Sequence, residues 1–287
     1  MKKNIVLGGS GLIGCSFKEL IKNNKEYVFF SKKKFKDLEI FNLNSSITKF
    51  PYKEVNTCFF FSSPRIIKKN FKKEIFEKEF LWLKKVVNNL EINKFIYLSS
   101  SSIYYKKNHP VGVVKKKCER YLLKNRNKFD NLQIWRPFNL VAKKYIESDH
   151  FYNFLFKKMF IEKINEYTFF GNLKDKRGYS NVNDFTKILY QYSKKKVNFL
   201  KDYGNADLIT IDETIKLFNK YYFKINKKLF IAKFKSNITN INKINNKKNS
   251  IFSKIKSINV LESYVKESLK WKKIVMFVKK NLKNSCL

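Results

Sequence analysis

The chain has 287 residues, enough to bury a sizeable core and to form one large α/β domain or a large domain with a smaller appendage. Its 44% content of hydrophobic residues excludes wholesale disorder. The formal net charge is +39, but only five of the 62 basic residues are Arg and the lysines are spread along the whole chain, with Asn, Ile and Phe abundant and Ala and Gly scarce. That pattern reads as a coding bias toward A and T and a solvated lysine surface, not as a nucleic-acid-binding arm.

In chain order, the first apolar run, Ile5-Val6-Leu7, leads directly into Gly8-Gly9-Ser10-Gly11-Leu12-Ile13-Gly14, which holds four of the eight glycines. A strand followed by a glycine turn that opens a helix is how a dinucleotide pyrophosphate is held. Gly8 lets the chain turn sharply, Gly11 lets the backbone approach phosphates with no Cβ between, and Gly14 lets the helix pack close to the strand. The N–H groups and positive dipole end of that helix then face the anion. The spacing of Gly8, Gly11 and Gly14 is G-x-x-G-x-x-G, and a tight strand-to-helix turn without a ligand shares the pattern.

Short apolar runs then alternate with amphipathic stretches, as in βαβ units and a parallel sheet. Strands are expected at Ile5 to Leu7, Tyr27 to Phe30, Thr57 to Phe61, Phe95 to Ser99 and Gln133 to Arg136, and helices at Leu12 to Asn23, Phe71 to Asn89 and Val114 to Asn125. The second half is less regular. Helices are expected at Phe151 to Lys163, Val182 to Lys194 and Ile211 to Tyr221, a turn at Tyr203-Gly204-Asn205, and a short strand around Phe230, Ile231 and Phe234. The Asn- and Lys-rich stretch from Lys233 to Ser250 reads as a loop or linker.

Cys15, Cys58, Cys118 and Cys286 form no C-x-x-C pair, so neither a metal site nor a disulfide framework is expected, and a reducing cytoplasm fits. Met1-Lys2-Lys3 runs straight into the first strand, so no secretory leader is expected. No apolar run approaches the roughly 20 residues that span a bilayer.

Four segments carry chemistry. Ser99-Ser100-Ser101-Ser102-Ile103-Tyr104 delivers hydroxyls at the carboxyl end of a buried strand, where open parallel sheets bind ligands. Pro110-Val111-Gly112-Val113-Val114-Lys115, with Glu119 four residues on, opens a helix. Trp135-Arg136-Pro137-Phe138-Asn139 ends another strand, and Arg177-Gly178-Tyr179-Ser180 precedes a helix. With the glycine turn, and in this order over about the first 190 residues, they resemble the extended short-chain dehydrogenase/reductase family of nucleotide-sugar epimerases, dehydratases and reductases. The resemblance implies a Rossmann-type, doubly wound α/β fold. Residues 1–145 would form the dinucleotide-binding domain, with a return to it at about 178–205, and 146–287 a smaller substrate domain. It implies a nicotinamide cofactor, a nucleotide-sugar substrate and reversible hydride transfer at a sugar carbon, in surface polysaccharide synthesis or related sugar metabolism. Homodimers formed by pairing helices are common in that family, and the Lys-rich helices leave that state open.

Carried over position by position, the resemblance makes Gly8, Gly11 and Gly14 the pyrophosphate turn, with backbone of Ser10, Leu12 and Ile13 beside it. Ser100 matches the catalytic hydroxyl on the reacting oxygen. Lys115 matches the lysine that holds the nicotinamide ribose and lowers the pKa of the catalytic tyrosine. Phe138 and Asn139 match residues beside the nicotinamide and the substrate phosphate, and Arg177 an arginine that clamps the nucleotide diphosphate.

One position departs from the family. Four residues before Lys115 stands Val111, where the family has its tyrosine acid/base, and valine has no ionisable proton. Either Tyr104, Tyr105 or His109 substitutes, or the chemistry differs, or the chain binds nucleotide without turning it over, as a sensor or scaffold. At the end of the second strand, Ser31 and Lys32 stand where an NAD binder carries an acid, and no acid occurs before Asp37, so NADP is favoured over NAD. A basic nucleic-acid binder on the same fold is the remaining alternative, and it requires affinity that falls steeply with salt.

Overall fold

The computed structural model describes residues 2–22, 24–35, 37–64, 73–104, 109–144, 150–235, 241–242 and 250–284. The elements in order are β1 (Lys3–Leu7), α1 (Leu12–Leu20), β2 (Tyr27–Ser31), β3 (Glu39–Ile40), β4 (Glu54–Phe60), α2 (Lys73–Asn89), β5 (Glu91–Leu98), α3 (Pro110–Lys124), β6 (Asn131–Pro137), β7 (Leu140–Val141) and α4 (Phe151–Phe156). There follow β8 (Glu166–Phe169), β9 (Lys176–Arg177), β10 (Ser180–Asn181), α5 (Val182–Ser193), β11 (Phe199–Gly204), β12 (Ile209–Thr210), α6 (Ile211–Asn226), β13 (Ile231–Phe234), β14 (Ile241–Asn242), β15 (Ser250–Phe252) and α7 (Ser257–Asn284). The chain divides into two compact units, Met1–Phe138 with Val182–Tyr203 and Asn246–Ile251, and Asn139–Asn181 with Gly204–Asn245 and Phe252–Leu287.

The first unit is built on an eight-stranded sheet in the order β15-β11-β6-β5-β4-β1-β2-β3, parallel from β11 through β3. Parallel strands covered on both faces read as unbroken apolar runs. Ile5, Val6 and Leu7 of β1 and Cys58, Phe59 and Phe60 of β4 are accordingly buried. The strand order reverses direction between β1 and β4, the point at which doubly wound sheets open a crevice at the carboxyl ends of their strands. The expected fold class is observed.

On one face, α1 pairs with α5. Ser16 Oγ donates to Asn183 Oδ1 at 2.7 Å, and Phe17 lies within 4.9 to 6.3 Å of the rings of Phe29, Phe59, Phe61, Tyr27 and Tyr190. On the other face, Leu83, Val86 and Val87 of α2 and Val114, Cys118 and Leu122 of α3 join one core with β1, β4, β5 and β6. The second unit has its own core, in which Tyr152, Phe156 and Phe160 meet Phe218 and Tyr222 of α6 and Leu261, Tyr264 and Val265 of α7.

The five expected strands and the helices at α1, α2, α3, α4, α5 and α6 are present, with shifted ends; residues 71 and 72, at the expected start of α2, lie outside the described residues. Helix α3 begins at Pro110 rather than Val114, because proline at the first helical position presets φ and lacks only an N–H that would have no helical partner. The expected turn at Tyr203-Gly204-Asn205 is corrected, since β11 runs through Gly204. Tyr203 is fully buried with its ring 4.8 Å from Phe185, and its carbonyl accepts the Phe138 N–H at 2.8 Å, so burial and pairing hold the glycine extended. The turn falls after it, where Asn205 Oδ1 accepts from the Asp207 N–H. Within the expected Lys233 to Ser250 loop, Lys233 and Phe234 belong to β13, Ile241 and Asn242 form β14 and Ser250 begins β15; residues 236–240 and 243–249 lie outside the described residues.

Truncating Phe17 to Ala should cost about 3–5 kcal/mol, because a ring packed against five others leaves a cavity that the flanking strands cannot close. Urea unfolding should show a lower midpoint with an unchanged slope.

Candidate functional site

The glycine turn lies at the carboxyl end of β1. Gly8 has φ +93°, and a Cβ on it would lie 2.8 Å from both the Phe61 carbonyl carbon and the Ser62 nitrogen. A Cβ on Gly14 would lie 2.4 Å from the Gly8 oxygen, so α1 is pressed directly onto the turn that precedes it. Among the described residues, the only heavy atom near a Cβ added at Gly11 is the Gly8 oxygen at 3.4 Å, and Ser10 and Gly11 are exposed. Gly11 is also the N-cap of α1; no side chain caps the helix and no acidic residue stands in its first turn. The helix thus offers uncapped N–H groups and its positive end beside space that no side chain of the described residues fills.

Ser31 ends β2 beside this turn. Its hydroxyl donates to Ser10 Oγ at 3.2 Å and accepts from the Lys33 N–H at 3.4 Å, while Lys32 and Lys33 are exposed. The first acid downstream, Asp37, is paired with Lys18 of α1.

At the carboxyl end of β5, Ser100 is half-buried and its Oγ accepts the Ser102 N–H at 3.1 Å, which leaves the hydroxyl proton to donate elsewhere. Lys115 is brought to the same strand end. Its Nζ donates to the Leu98 oxygen at 2.7 Å and to Glu79 Oε1 at 2.6 Å, with both side chains of this ion pair buried. Glu79 also accepts from Tyr97 Oη and Ser63 Oγ, each at 2.8 Å. Two of the three ammonium protons of Lys115 are therefore committed within the protein.

Val111 is half-buried in the first turn of α3, packed on the core of its unit. Tyr104, one of the three candidate replacements, is tied down. Its hydroxyl donates to Asp202 Oδ1 at 2.9 Å and accepts from Arg136 Nη1 at 2.7 Å, and its ring stacks on Phe138 with centroids 5.9 Å apart. Arg136 in turn makes a two-pronged pair with Glu119 at 2.9 and 2.7 Å. Burial, reinforced by the bond to Asp202, pushes the Tyr104 phenol up to about 12, far from a proton carrier poised near neutrality. His109 is the N-cap residue of α3, and burial lowers its pKa, so it is neutral at pH 7. Tyr105 lies outside the described residues.

Phe138 is buried at the end of β6 in the first unit, and Asn139, which follows it, begins the second. Asn139 adopts φ 34°, and its Nδ2 donates to the Gly178 oxygen at 3.1 Å. Arg177 in β9 is half-buried with its guanidinium 5.7 Å from the centre of the Phe151 ring. The first unit thus gathers the glycine turn, Ser31, Ser100, Lys115 and Phe138 toward the carboxyl edge of one sheet, and Asn139 and Arg177 belong to the second unit. Glu79, Asp202 and the Arg136 bridge escaped sequence reasoning, since an acid on an amphipathic helix or near a strand end reads as a surface group. The one available signal was Arg136 itself, a rare arginine beside Ile134 and Trp135 in a buried strand.

Among the described residues no helix is long and apolar enough to cross a membrane, and no group of three or more His, Cys, Asp or Glu could hold a metal ion.

No protein-family model matches the sequence, and no curated protein matches it. Solved structures do. MoeE5 in complex with UDP-glucose and NAD is similar over 96% of this chain and 99% of its own at 13% identity, with a TM-score of 0.72. A UDP-N-acetylglucosamine 4-epimerase from Bacillus cereus is similar over 91% and 94% at 18% identity, with a TM-score of 0.69. TunA, an NAD-dependent NDP-hexosamine 5,6-dehydratase involved in tunicamycin biosynthesis, is similar over 95% and 98% at 13% identity, with a TM-score of 0.73. The chain therefore has the Rossmann-type α/β fold of NAD-dependent nucleotide-sugar epimerases and dehydratases, the kind of protein its motifs resemble.

Replacing Glu79 by Ala strands the buried Lys115 ammonium and should cost about 3–5 kcal/mol. The Glu79→Ala/Lys115→Met double variant should recover most of it, a coupling that a double-mutant cycle of urea unfolding measures.

Proposed function

We propose that this chain binds a nicotinamide dinucleotide at its glycine turn and acts on a nucleotide-sugar. The observation that carries the reading is the uncapped N-terminus of α1 at the switch point between β1 and β4, beside a turn in which Gly11 alone has no close packing neighbour. A pyrophosphate fits there, because the turn offers main-chain donors, a positive helix end and no side chain in the way. MoeE5, which shares this fold, forms complexes with NAD and UDP-glucose or UDP-glucuronic acid, which supports the general kind of ligand.

In this reading Gly8, Gly11 and Gly14, with the backbone of Ser10, Leu12 and Ile13, hold the pyrophosphate. Ser31 and Lys32 meet the adenosine ribose, where a hydroxyl and an ammonium suit a 2′-phosphate, so NADP is preferred to NAD. The third proton of Lys115 is left for the nicotinamide ribose, and Phe138 packs beside the ring. Ser100 donates its hydroxyl proton to the sugar oxygen at the reacting carbon. Asn139 and Arg177 bind the nucleotide diphosphate. The bound nicotinamide supplies reversible hydride exchange with a sugar carbon. Such a protein works in a reducing cytoplasm, in sugar metabolism or surface polysaccharide synthesis.

A second reading has its own observations. Val111 cannot carry a proton, Tyr104 is locked between Arg136 and Asp202, and Glu79 neutralises Lys115, whose positive charge would otherwise lower the pKa of a catalytic tyrosine. These changes together fit a protein that keeps the coenzyme pocket and has given up the tyrosine relay, as a sensor or scaffold.

Incubation with NADP or NAD and a panel of nucleotide-sugars, followed by product analysis, decides between them. New sugar products supports the enzyme. Bound coenzyme with no product, and activity appearing only in Val111→Tyr, supports the binding protein. For either, NADPH should bind more tightly than NADH by roughly tenfold, and Ser31→Asp should reverse that order by placing a carboxylate against the 2′-phosphate. Equal affinities would remove the assignment of Ser31 and Lys32.

A further inference from the structure

The opposite edge of the same sheet holds a feature that the coenzyme reading leaves unused. Tyr27, Asn4, Thr57, Lys94 and Asn131 are in-register neighbours across β2, β1, β4, β5 and β6, so they form one row on one face. Strands of a covered parallel sheet are normally apolar at such positions, and the next row on the same face, Phe29, Val6, Phe59, Ile96 and Gln133, is apolar in all but its last member. Lys94 has a structural task, since its Nζ donates to the Ser193 and Lys195 carbonyls where α5 ends. Asn4, Thr57 and Asn131 are 6%, 6% and 9% exposed, and among the described residues the Thr57 and Asn131 side chains make no hydrogen bond to the protein. They line a cleft of about 660 Å³ that lies within the first unit and is bordered by Tyr190 of α5. The cleft has been shaped from the sheet outward. Between Lys3 and Asn4 the pairing of β1 with β4 slips by one residue, and the extra residue, Asn56, turns its Nδ2 onto Asn4 Oδ1 at 2.9 Å. Bulges of this kind re-aim side chains, and they are enriched beside functional sites.

We propose that this cleft binds a neutral saccharide. Its charges are mixed, with Lys94, Lys194 and Lys196 set against Glu26, Asp130 and the negative end of α5, which favours neither an anion nor a cation. Its floor offers amides and a hydroxyl, groups that both donate and accept, as sugar hydroxyls do. Asn4 and Thr57 stand on adjacent strands at roughly 4.8 Å, a spacing that suits hydroxyls on alternate carbons of a pyranose ring, and Asn131 lies two strands beyond Thr57, with Lys94 between them. Tyr27 and Tyr190, with ring centroids 6.3 Å apart, give it an aromatic border, and the Lys194 ammonium lies 4.2 Å from the centre of the Tyr190 ring. A volume of this size accommodates one or two sugar rings.

Saturation-transfer NMR on the full chain, with D-glucose and N-acetyl-D-glucosamine as probes and inorganic phosphate as the competitor, tests this. At least one hexose should receive saturation, phosphate should not displace it, and affinity should fall by at least tenfold in Thr57→Val and in Asn131→Leu. Thr57→Val, which swaps a buried hydroxyl for a methyl of similar size, should also raise Tm, and Gly11→Ala, which places a methyl group at the coenzyme turn where only the Gly8 oxygen at 3.4 Å is near, should keep the hexose signal. That last variant separates this cleft from the nucleotide-sugar site, so either site can fail alone. No transfer from either hexose at tens of millimolar, displacement by phosphate, binding unchanged in the Thr57 and Asn131 variants, or a lower Tm in Thr57→Val would overturn the proposal.

Discussion

Helix α1 rests on a turn that has no room for a side chain at Gly8 or Gly14. The 2.4 Å separation between a Gly14 Cβ and the Gly8 oxygen means that only glycine allows the helix to start where it does, and Gly8 at φ +93° abuts the chain leaving β4. This contact points the helix N-terminus at the crevice between β1 and β4, and so fixes where an anion can be held. It also seats Phe17 in its cluster of rings, so the geometry of the ligand turn and the packing of one face of the sheet arise from the same constraint.

At the far end of the crevice the chain holds its charges in closed groups. Lys115, Glu79, Tyr97 and Ser63 form one buried assembly, and Glu119, Arg136, Tyr104 and Asp202 form another. Buried charges are tolerated only when paired and hydrogen-bonded, and both groups meet that condition. The consequence is functional. Side chains that would move protons in a tyrosine relay are instead held in structural bonds, and Val111 adds nothing to replace them. The first unit thus combines an uncapped helix end at its glycine turn with strand-end side chains that are tied down by structural bonds.

Much of this was legible in the sequence where one physical cause dominates. The apolar run into Gly8 through Gly14 can be read because strand, turn and helix each leave a local signature, and the alternation of Phe95–Leu98 and Gln133–Arg136 with helices marks a parallel sheet. Short elements whose existence depends on partners distant in sequence were not legible. β8 exists because Glu166 to Phe169 pairs with Ile231 to Phe234, and β3 because it pairs with β2. The turn expected at Gly204 failed for the same reason, as burial of Tyr203 outweighed the local preference of glycine. Helix α7 lay beyond an Asn- and Lys-rich stretch whose composition discouraged any structural reading. In the candidate site, Ser100 and Lys115 were singled out by the family their motifs resemble, whereas Glu79 could be recognised only once α2 and α3 were seen side by side.

Gly11 offers the most direct test of the pyrophosphate turn. Its φ of −77° suits any residue, and its Cβ position has only the Gly8 oxygen nearby at 3.4 Å, so Gly11→Ala should leave Tm almost unchanged while placing a methyl group where the phosphates would lie. Isothermal titration calorimetry with NADPH should register binding to the natural chain and at least a tenfold loss in Gly11→Ala. No heat with the natural chain, or equal affinity in the variant, would contradict a coenzyme held at this helix end.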